Sequence, residues 1–361
     1  MIPTTVGYRG DEVLVGQAAS AQEHKNSANT FADVRGRMMG CGEGSVPMQH
    51  VPVLDKEIPV TELSKHFFRN IHNQVKQQMG KIVRECVLTV PSGISDADRT
   101  RLKEVAQEGG IRVKAMVPDT TAVLMAYGMD NADVYGRVCV VDMGWGHTEV
   151  AVMDVKAGVI FPKGSTTIEA INGKTMVEAI TKHCVKDFMR RTKNDCSDSK
   201  KSMLRLRKES EQALKQLSMG TEVTIDIDAL FDGVDYSGRL TRARCDDLVS
   251  IPFMMMKKTI EEFLSSAGID RESVTHVCMA GGLAAMPKSI ATAKALFPKS
   301  IMAKPNRGPS ASGMNTTAEA QCAGAAARDP GLAGGHLRGD AGPRFQSQPA
   351  HALRTRAGGG H

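Results

Sequence analysis

Two apolar strand patterns flank a glycine-containing turn in the sequence VCVVDMGWGHTEVAVMDV, over residues 138–155. The turn contains Gly144 and Gly146, so the pattern predicts a β-hairpin. Backbone N–H groups of such a turn can converge on a phosphate. Asp142 and Glu149 flank the turn and could hold Mg²⁺ through water. An ordinary hairpin with an aspartate at its turn explains the same residues, and from this segment alone it is the favoured interpretation.

Helix and strand patterns alternate before the hairpin. The predicted elements are, in order, a helix over 61–79, a strand over 86–91, a helix over 99–108, a strand over 111–117 and a helix over 120–127. Gly80 is the predicted end of the first helix, and Ser95 or Asp96 is the predicted cap of the second. This alternation predicts a parallel α/β core. Residues 41–60 mix glycine, proline and charges and show no period.

The second half of the chain contains longer elements. The patterns predict a helix-rich stretch over 173–217, a β-rich stretch over 221–239, a helix over 245–267 and a strand over 274–279. Gly281 and Gly282 follow that strand, and Pro287 opens a helix. Such an arrangement lets a ligand approach the backbone and a helix N-terminus, although a glycine pair between strand and helix is common. Asp119 stands just before the last helix of the first half, where a helix cap is the favoured interpretation.

Composition narrows the class of protein. The 361 residues are enough for two packed lobes or domains, and 41% hydrophobic with 24% charged residues is typical of a soluble globular chain. The eight cysteines form no CxxC pair, which disfavours a zinc or disulfide framework and predicts a reducing compartment. The net charge of +6 is too mild to predict a nucleic-acid partner. No signal peptide and no apolar run of about 18 residues is present, so we expect no membrane span and a cytoplasmic, or alternatively nuclear, location.

The order of the motifs is more specific than any one of them. It runs from VLTVPSGISDADR through DTTAVLMAYG, DMGWGHTEV, RLRKESEQALKQLS, IDALFDGVDYSGRLTRARCDDL and MAGGLAAMPK to AGAAA. This order strongly resembles the nucleotide-binding domain of the 70-kDa heat-shock chaperone family, of the DnaK type, over about residues 1–327. Residues 230–248 are the most specific part, since actins and sugar kinases share the fold but not that text.

The resemblance implies a bilobal, actin-like α/β ATPase fold with the nucleotide in the cleft between two lobes. The implied divisions are lobe I over 1–132, lobe II over 133–305, a return segment to lobe I over 306–327 and a disordered Gly/Arg/Pro-rich tail over 328–361. We expect the chain to begin after the family's first phosphate loop and to lack the peptide-binding domain.

The resemblance also implies a site. Asp142 resembles the family's Mg²⁺-side aspartate, and Asp119 stands where the family has a glutamate; both are catalytic candidates. The implied nucleotide contacts are, on the phosphate side, Gly144, Trp145, Gly146, His147 and Glu149, and, on the adenosine side, Glu211, Lys215, Gly281 and Gly282. The implied cofactors are ATP or ADP with Mg²⁺. The implied partners are J-domain proteins and nucleotide-exchange factors, with no direct peptide-client site.

Several residues depart from the family pattern. Trp145 replaces the middle glycine of the second phosphate loop, and a tryptophan forced to positive φ would be strained. His147 replaces a threonine and Glu149 an aspartate. Leu283 and Ala285 replace a serine and an arginine of the adenosine pocket. We therefore expect weakened nucleotide binding.

The catalytic lysine of the family is also missing. The corresponding region reads TFADVRGRMMG, and no lysine occurs between Lys25 and Lys56. We therefore expect little or no ATPase activity. Three interpretations stay open: a chaperone ATP-binding domain with weak nucleotide affinity, a non-hydrolysing pseudo-ATPase or protein-interaction module, and a truncated or frameshifted gene product.

Overall fold

The computed structural model describes residues 2–39 and 46–305. The strands in those ranges are β1 (Val6–Arg9), β2 (Glu12–Val15), β3 (Thr30–Phe31), β4 (Met48–Val51), β5 (Lys56–Pro59), β6 (Glu85–Val90), β7 (Arg112–Pro118), β8 (Tyr135–Met143), β9 (Thr148–Lys156), β10 (Val159–Ile168), β11 (Glu222–Phe231), β12 (Val234–Thr241), β13 (Val274–Ala280) and β14 (Ile301–Met302). The predicted return segment over 306–327 and the predicted tail over 328–361 lie outside the described residues.

The α-helices of the same ranges complete the secondary structure. They are α1 (Gln17–Gln22), α2 (Val34–Met38), α3 (Val60–Met79), α4 (Asp96–Glu108), α5 (Asp119–Ala126), α6 (Gly173–Thr192), α7 (Lys200–Leu217), α8 (Arg242–Leu248), α9 (Ser250–Ser266) and α10 (Pro287–Leu296). None of these described helices is long and apolar enough to cross a membrane.

The largest sheet has five strands in the order β10-β9-β8-β13-β14. The predicted hairpin is confirmed as β8 and β9, which pair antiparallel with Asp142 opposite Glu149, while β13 runs parallel to β8. The edge strand β10 was not predicted. Its residues are mostly exposed, and Pro162 and Gly164 interrupt its register, so no apolar alternation marks it in the sequence.

Both faces of this sheet are covered, which explains the continuous apolar run of β8. Cys139 and Val141 point into a large core that includes residues of α6, α7, β11, β12, α9 and α10. Val138 and Val140 point to the opposite face and pack with Leu124 of α5. Successive side chains of a strand alternate between faces, so one strand stabilises two cores.

The N-terminal half follows its predicted boundaries closely. Helix α3 ends at Gly80, which has φ of 64°, and the Ser95 side chain accepts a hydrogen bond from the Asp98 N–H to cap α4. The aperiodic stretch over 41–60 nevertheless contains the hairpin of β4 and β5. Of the strand residues in this hairpin only Val51 is fully buried. The sequence therefore shows no alternation of apolar and polar residues that would predict the two strands.

The parallel pair β6 and β7 forms a separate two-stranded sheet in the part of the chain that the structure describes. Val87 of β6 is 44% exposed, although parallel sheets are normally covered on both faces. From the sequence we expect residues 1–132 to be loosely folded, or to need a partner, and residues 133–305 to hold together as a lobe.

We therefore expect the amides of residues 87–90 to exchange at least about tenfold faster than those of 138–141, because local opening is easiest where few buried contacts oppose it. Native-state hydrogen exchange measures this ratio. Equal protection of the two strands would show that the N-terminal half closes as firmly as the five-stranded sheet.

Candidate functional site

The connection between β8 and β9, residues 144–147, is tied to the start of α6. The Gly144 N–H donates to the carbonyl of His147 at 3.0 Å. The carbonyls of Gly144 and Trp145 accept from the N–H groups of Gly173 and Lys174 at 2.9 and 3.0 Å. Three N–H groups at the turn and at the helix N-terminus are therefore committed within the protein.

Trp145 packs on the first residue of α6. Its side chain is 49% exposed, and a Cβ on Gly173 would lie 2.7 Å from its Cε3 atom. Asn172 and Thr175 cap this helix reciprocally. The prediction of backbone strain at Trp145 is wrong, because no residue of 144–147 has φ in the left-handed region. The four-residue connection reverses the chain direction without any residue at positive φ.

Three carboxylates lie close together beside this hairpin: those of Asp119, Asp142 and Glu149. Burial, and then the charges of Asp119 and Glu149, raise the pKa of Asp142 to about 7. Burial also raises the pKa of Glu149, although hydrogen bonds from Ser92 oppose the rise. Asp142 is therefore partly protonated at neutral pH, and the cluster accumulates negative charge as pH rises.

Ser92, in the loop that follows β6, contacts the hairpin. Its N–H donates to the two carboxylate oxygens of Glu149 at 3.3 and 3.4 Å, and its hydroxyl lies 3.0 Å from the Thr120 hydroxyl oxygen. Sequence reasoning missed Ser92. Its position at the carboxyl end of a predicted parallel strand, where ligands of open α/β sheets bind, was the available signal.

Asp119 does not cap α5. It is the first residue of that helix, the cap position is Pro118, and no side-chain cap hydrogen bond forms. Its Oδ2 atom lies 3.8 Å from the Nη2 atom of Arg35 instead. Its Oδ1 atom is buried without a hydrogen-bond partner among the described residues. Its charge helps to raise the pKa of Asp142, so Asp119 belongs to the carboxylate cluster.

Arg35 is the second residue that sequence reasoning missed. It lies in α2, and its Nη2 atom also donates to the Thr89 carbonyl at 3.2 Å. Its Nε atom is buried and, within ranges 2–39 and 46–305, has no hydrogen-bond partner. The available signal was the pair of arginines in TFADVRGRMMG, the first of which supplies a cation to Asp119.

The two glycines after β13 differ in environment. Gly281 has φ of +90°, and a Cβ there would lie 2.1 Å from the Met143 carbonyl oxygen and 2.7 Å from Asp142 Oδ1. The Leu283 N–H donates to the same carbonyl at 3.3 Å. Gly282 is exposed, and an added Cβ there would have no atom of the described residues within 4 Å. Gly281 is thus needed for packing against the hairpin, whereas Gly282 leaves open space.

The remaining adenosine-side candidates, Glu211 and Lys215, pair with each other on α7 at 2.6 Å. Burial, followed by the charge of Glu211, raises the pKa of Glu23 near the end of α1. The structure thus brings Glu211 and Lys215 together with Glu23. This group is separate from the contacts that join Asp119, Asp142 and Glu149.

Over the described ranges, no group of three or more His, Cys, Asp or Glu side chains is arranged to hold a metal ion. Mg²⁺ usually keeps several waters and binds through one or two carboxylates together with substrate phosphates. Asp142 suits that mode of binding, as does the Oδ1 atom of Asp119, which has no hydrogen-bond partner among residues 2–39 and 46–305. The residues present therefore fit a water-mediated Mg²⁺ that would neutralise phosphate charge.

The amino-acid sequence of this chain matches a known protein family. The family model described as Hsp70 protein matches residues 1–309, most of the chain. The chain belongs to the Hsp70 family. The α/β class and the actin-like ATPase fold of the Hsp70 nucleotide-binding domain are confirmed with it. Hsp70 chaperones as a family bind ATP or ADP with Mg²⁺ and work with co-chaperones.

Individual Hsp70 relatives are distant. A heat shock protein of Pyricularia oryzae is 29% identical over 310 residues, covering 79% of this chain and 50% of the relative. The heat shock 70 kDa protein of Trichophyton rubrum is 28% identical over 307 residues, covering 79% and 47%. A ribosome-associated molecular chaperone of Nakaseomyces delphensis is 28% identical over 309 residues, covering 79% and 50%. This chain spans about half the length of these curated Hsp70 relatives.

Proposed function

We propose that this Hsp70 chain binds adenine nucleotide weakly, does not hydrolyse ATP, and takes part in protein folding or its regulation. The observation that carries the proposal is the cluster of Asp119, Asp142 and Glu149, whose cationic contact is Arg35 on Asp119, in a region of the chain without a lysine. Phosphoryl transfer depends on positioned charge stabilisation more than on covalent chemistry. A guanidinium that already contacts Asp119 and the Thr89 carbonyl is not free to grip a phosphate.

The phosphate side of the site is also poorly equipped. A phosphate is usually held by backbone N–H groups of a glycine turn and by a helix N-terminus. Here the N–H groups of Gly144, Gly173 and Lys174 are used by carbonyls of the protein itself. The ring of Trp145 lies over Gly173 and narrows access to the start of α6. These contacts favour weak binding of the polyphosphate.

The remaining roles follow from the proposal. Asp142, with Asp119, would hold Mg²⁺ through water. Gly282 would face the adenosine, and Glu211 with Lys215 would border it. J-domain proteins and nucleotide-exchange factors would be the co-chaperones, and the chain would act in the cytoplasm. Some of its relatives are named as ribosome-associated chaperones, which makes nascent chains a reasonable class of client for the whole protein.

Calorimetry with Mg·ATP is expected to give a dissociation constant well above the micromolar range. Each hydrogen bond lost from the phosphate or adenosine side costs about 0.5–1.5 kcal/mol, and about 1.4 kcal/mol is a tenfold change in affinity. Trp145 is the single tryptophan of the chain, so its fluorescence reports on the loop directly. Steady-state ATP hydrolysis is expected to equal that of a protein-free blank.

Two outcomes would overturn the proposal. One is sub-micromolar affinity for ATP. The other is ATP turnover by the purified chain that disappears in the Asp142→Ala variant, since turnover that survives this change comes from a contaminant.

A further inference from the structure

The basic residues of the chain are unevenly distributed. The stretch 174–208, which contains most of α6 and the first half of α7, has eleven lysines and arginines against four aspartates and glutamates. This excess of positive charge is larger than the net charge of the whole chain, which is +6. The rest of the chain is therefore slightly acidic, and the net charge by itself does not reveal the basic stretch.

Three lysines lie along one exposed side of α6. Lys182, Lys186 and Lys193 are exposed, and spacings of four and seven residues place side chains on the same side of an α-helix. Lys193 is the C-cap, but its N–H still donates to the Met189 carbonyl at 2.9 Å, so its backbone nitrogen continues the helix. Eleven residues at 1.5 Å each make this row of lysines about 16 Å long. The opposite side of α6 is buried in the large core.

The carboxylates of the same stretch are already paired with arginines. Asp187 contacts both Arg190 and Arg191 at 2.8 Å, and Glu178 contacts Arg207 at 3.3 Å. Within ranges 2–39 and 46–305, no side chain forms an ion pair or a hydrogen bond with any of the three lysines. The row of lysines therefore remains positively charged towards solvent.

A fourth cation widens this positive surface. Arg244 of α8 is exposed and pairs with no carboxylate in the part of the chain that the structure describes. Burial, and then the charge of Arg244, lower the pKa of His183 on α6. The charge of Asp187 opposes this effect, whereas those of Arg190 and Lys186 add to it. Several cations thus act on one imidazole. We call the following set the basic face: Lys182, Lys186, Lys193 and Arg244.

The chemistry of the basic face indicates its kind of partner. Lysine is depleted in protein–protein interfaces. Helices that bind membranes insert several large apolar side chains, whereas α6 exposes a single one among the described residues, Met189. Single-stranded nucleic acid is held by stacking on aromatic rings, and the basic face contains none. A nucleic-acid duplex needs only cations, because it carries one negative charge per about 1.7 Å of its axis.

We propose that the basic face binds the phosphate backbone of a nucleic-acid duplex without reading its sequence. Over the 16 Å or so of the lysine row, a duplex presents about ten phosphates. A lysine ammonium group contacts phosphate as a point charge, and contacts to the backbone carry no sequence information. With three or four cations engaged, the expected dissociation constant lies at about 1–100 µM at physiological salt.

Fluorescence anisotropy of a labelled RNA duplex, titrated with the full chain, tests the proposal. The logarithm of the association constant should fall with the logarithm of the KCl concentration with a slope of about −3 to −4, because three or four phosphates are neutralised. A duplex of different sequence should bind within about threefold. The double variant Lys182→Glu with Lys186→Glu is expected to bind at least about tenfold more weakly and to flatten the slope by about 2.

Two further double variants serve as controls. Lys76→Glu with Lys103→Glu changes the net charge equally at exposed lysines of α3 and α4. It should alter the affinity by less than about twofold, because distant charges are screened by salt. Lys182→Arg with Lys186→Arg keeps both charges and should keep the wild-type affinity.

Four outcomes would overturn the proposal. The first is no binding of the duplex at low salt, and the second is equal weakening by the two glutamate variants. The third is a loss of binding in the arginine variant, which would show that folding and not charge is at stake. The fourth is tighter binding to phosphatidylserine vesicles or to polyglutamate than to the duplex, which would assign the basic face to a lipid surface or to an acidic protein.

Discussion

Replacing Asp142 with asparagine is expected to stabilise the folded protein at pH 8 by about 2–4 kcal/mol in the free energy of unfolding. The pKa of Asp142 is raised from 3.8 to about 7 by burial and by its carboxylate neighbours. The folded state therefore binds this proton more tightly than the unfolded chain does. The stability that the protonated group provides is complete below about pH 4 and is lost as pH rises through 7.

The gain from Asp142→Asn should therefore be largest at pH 8 and shrink towards zero near pH 4. Denaturant unfolding at several pH values measures it. Asp154 on β9 is the matched control, because its hydrogen bond with Arg137 lowers the pKa of its carboxyl. Asp154→Asn should destabilise the protein at pH 8, and the loss should vanish at low pH. If Asp142→Asn proved no more stable than wild type at pH 8, the carboxylate cluster would not be under electrostatic strain.

Replacing Gly281 with alanine is expected to destabilise the protein by about 2–5 kcal/mol. A positive φ costs a residue with a Cβ roughly 1–2 kcal/mol, and forcing an atom into a packed site adds about 1–3 kcal/mol. Here the new Cβ would approach the Met143 carbonyl oxygen to 2.1 Å, which neither backbone segment can accept without moving. Whole domains are stable by only about 5–15 kcal/mol, so a large part of the stability is at risk.

Gly282→Ala is the adjacent control. In the part of the chain that the structure describes, no atom lies within 4 Å of its added Cβ, and its φ is not in the left-handed region, so the midpoint of urea unfolding should stay close to that of the wild type. If the two variants unfolded at the same midpoint, Gly281 would not be what holds β13 against the hairpin. A loss of nucleotide affinity in Gly282→Ala without a loss of stability would support its proposed place beside the adenosine.

Much of the fold could be predicted because its signals are local. The apolar period of α3, the glycine at its end, the serine cap of α4 and the glycine turn of the β8–β9 hairpin all lie within one element or its border. The hairpin of β4 and β5 and the edge strand β10 escaped prediction for the opposite reason. Their residues are mostly exposed, so they owe their conformation to pairing with another strand and not to an apolar pattern of their own.

The residues of the candidate site also fall into those that the sequence predicted and those that it did not. Motif order alone pointed to Asp119, Asp142, Glu149 and the Gly281–Gly282 pair, because such motifs are short and keep their order along the chain. Motif order gave no indication that Gly281 packs on Met143 while Gly282 is open. The predicted backbone strain at Trp145 was also wrong, since the backbone torsion angles of a turn depend on where the flanking strands end.

The Hsp70 family, the α/β class and the residue types present at the site could be inferred from the chain alone, since these follow from local pattern and motif order. Which of those residues meet in space could be learned from the folded structure alone. Arg35, Ser92, Asp119 and Glu149 come from distant parts of the chain, and burial sets the pKa of Asp142. Charge and desolvation depend on distance in space, which separation along the chain does not reveal.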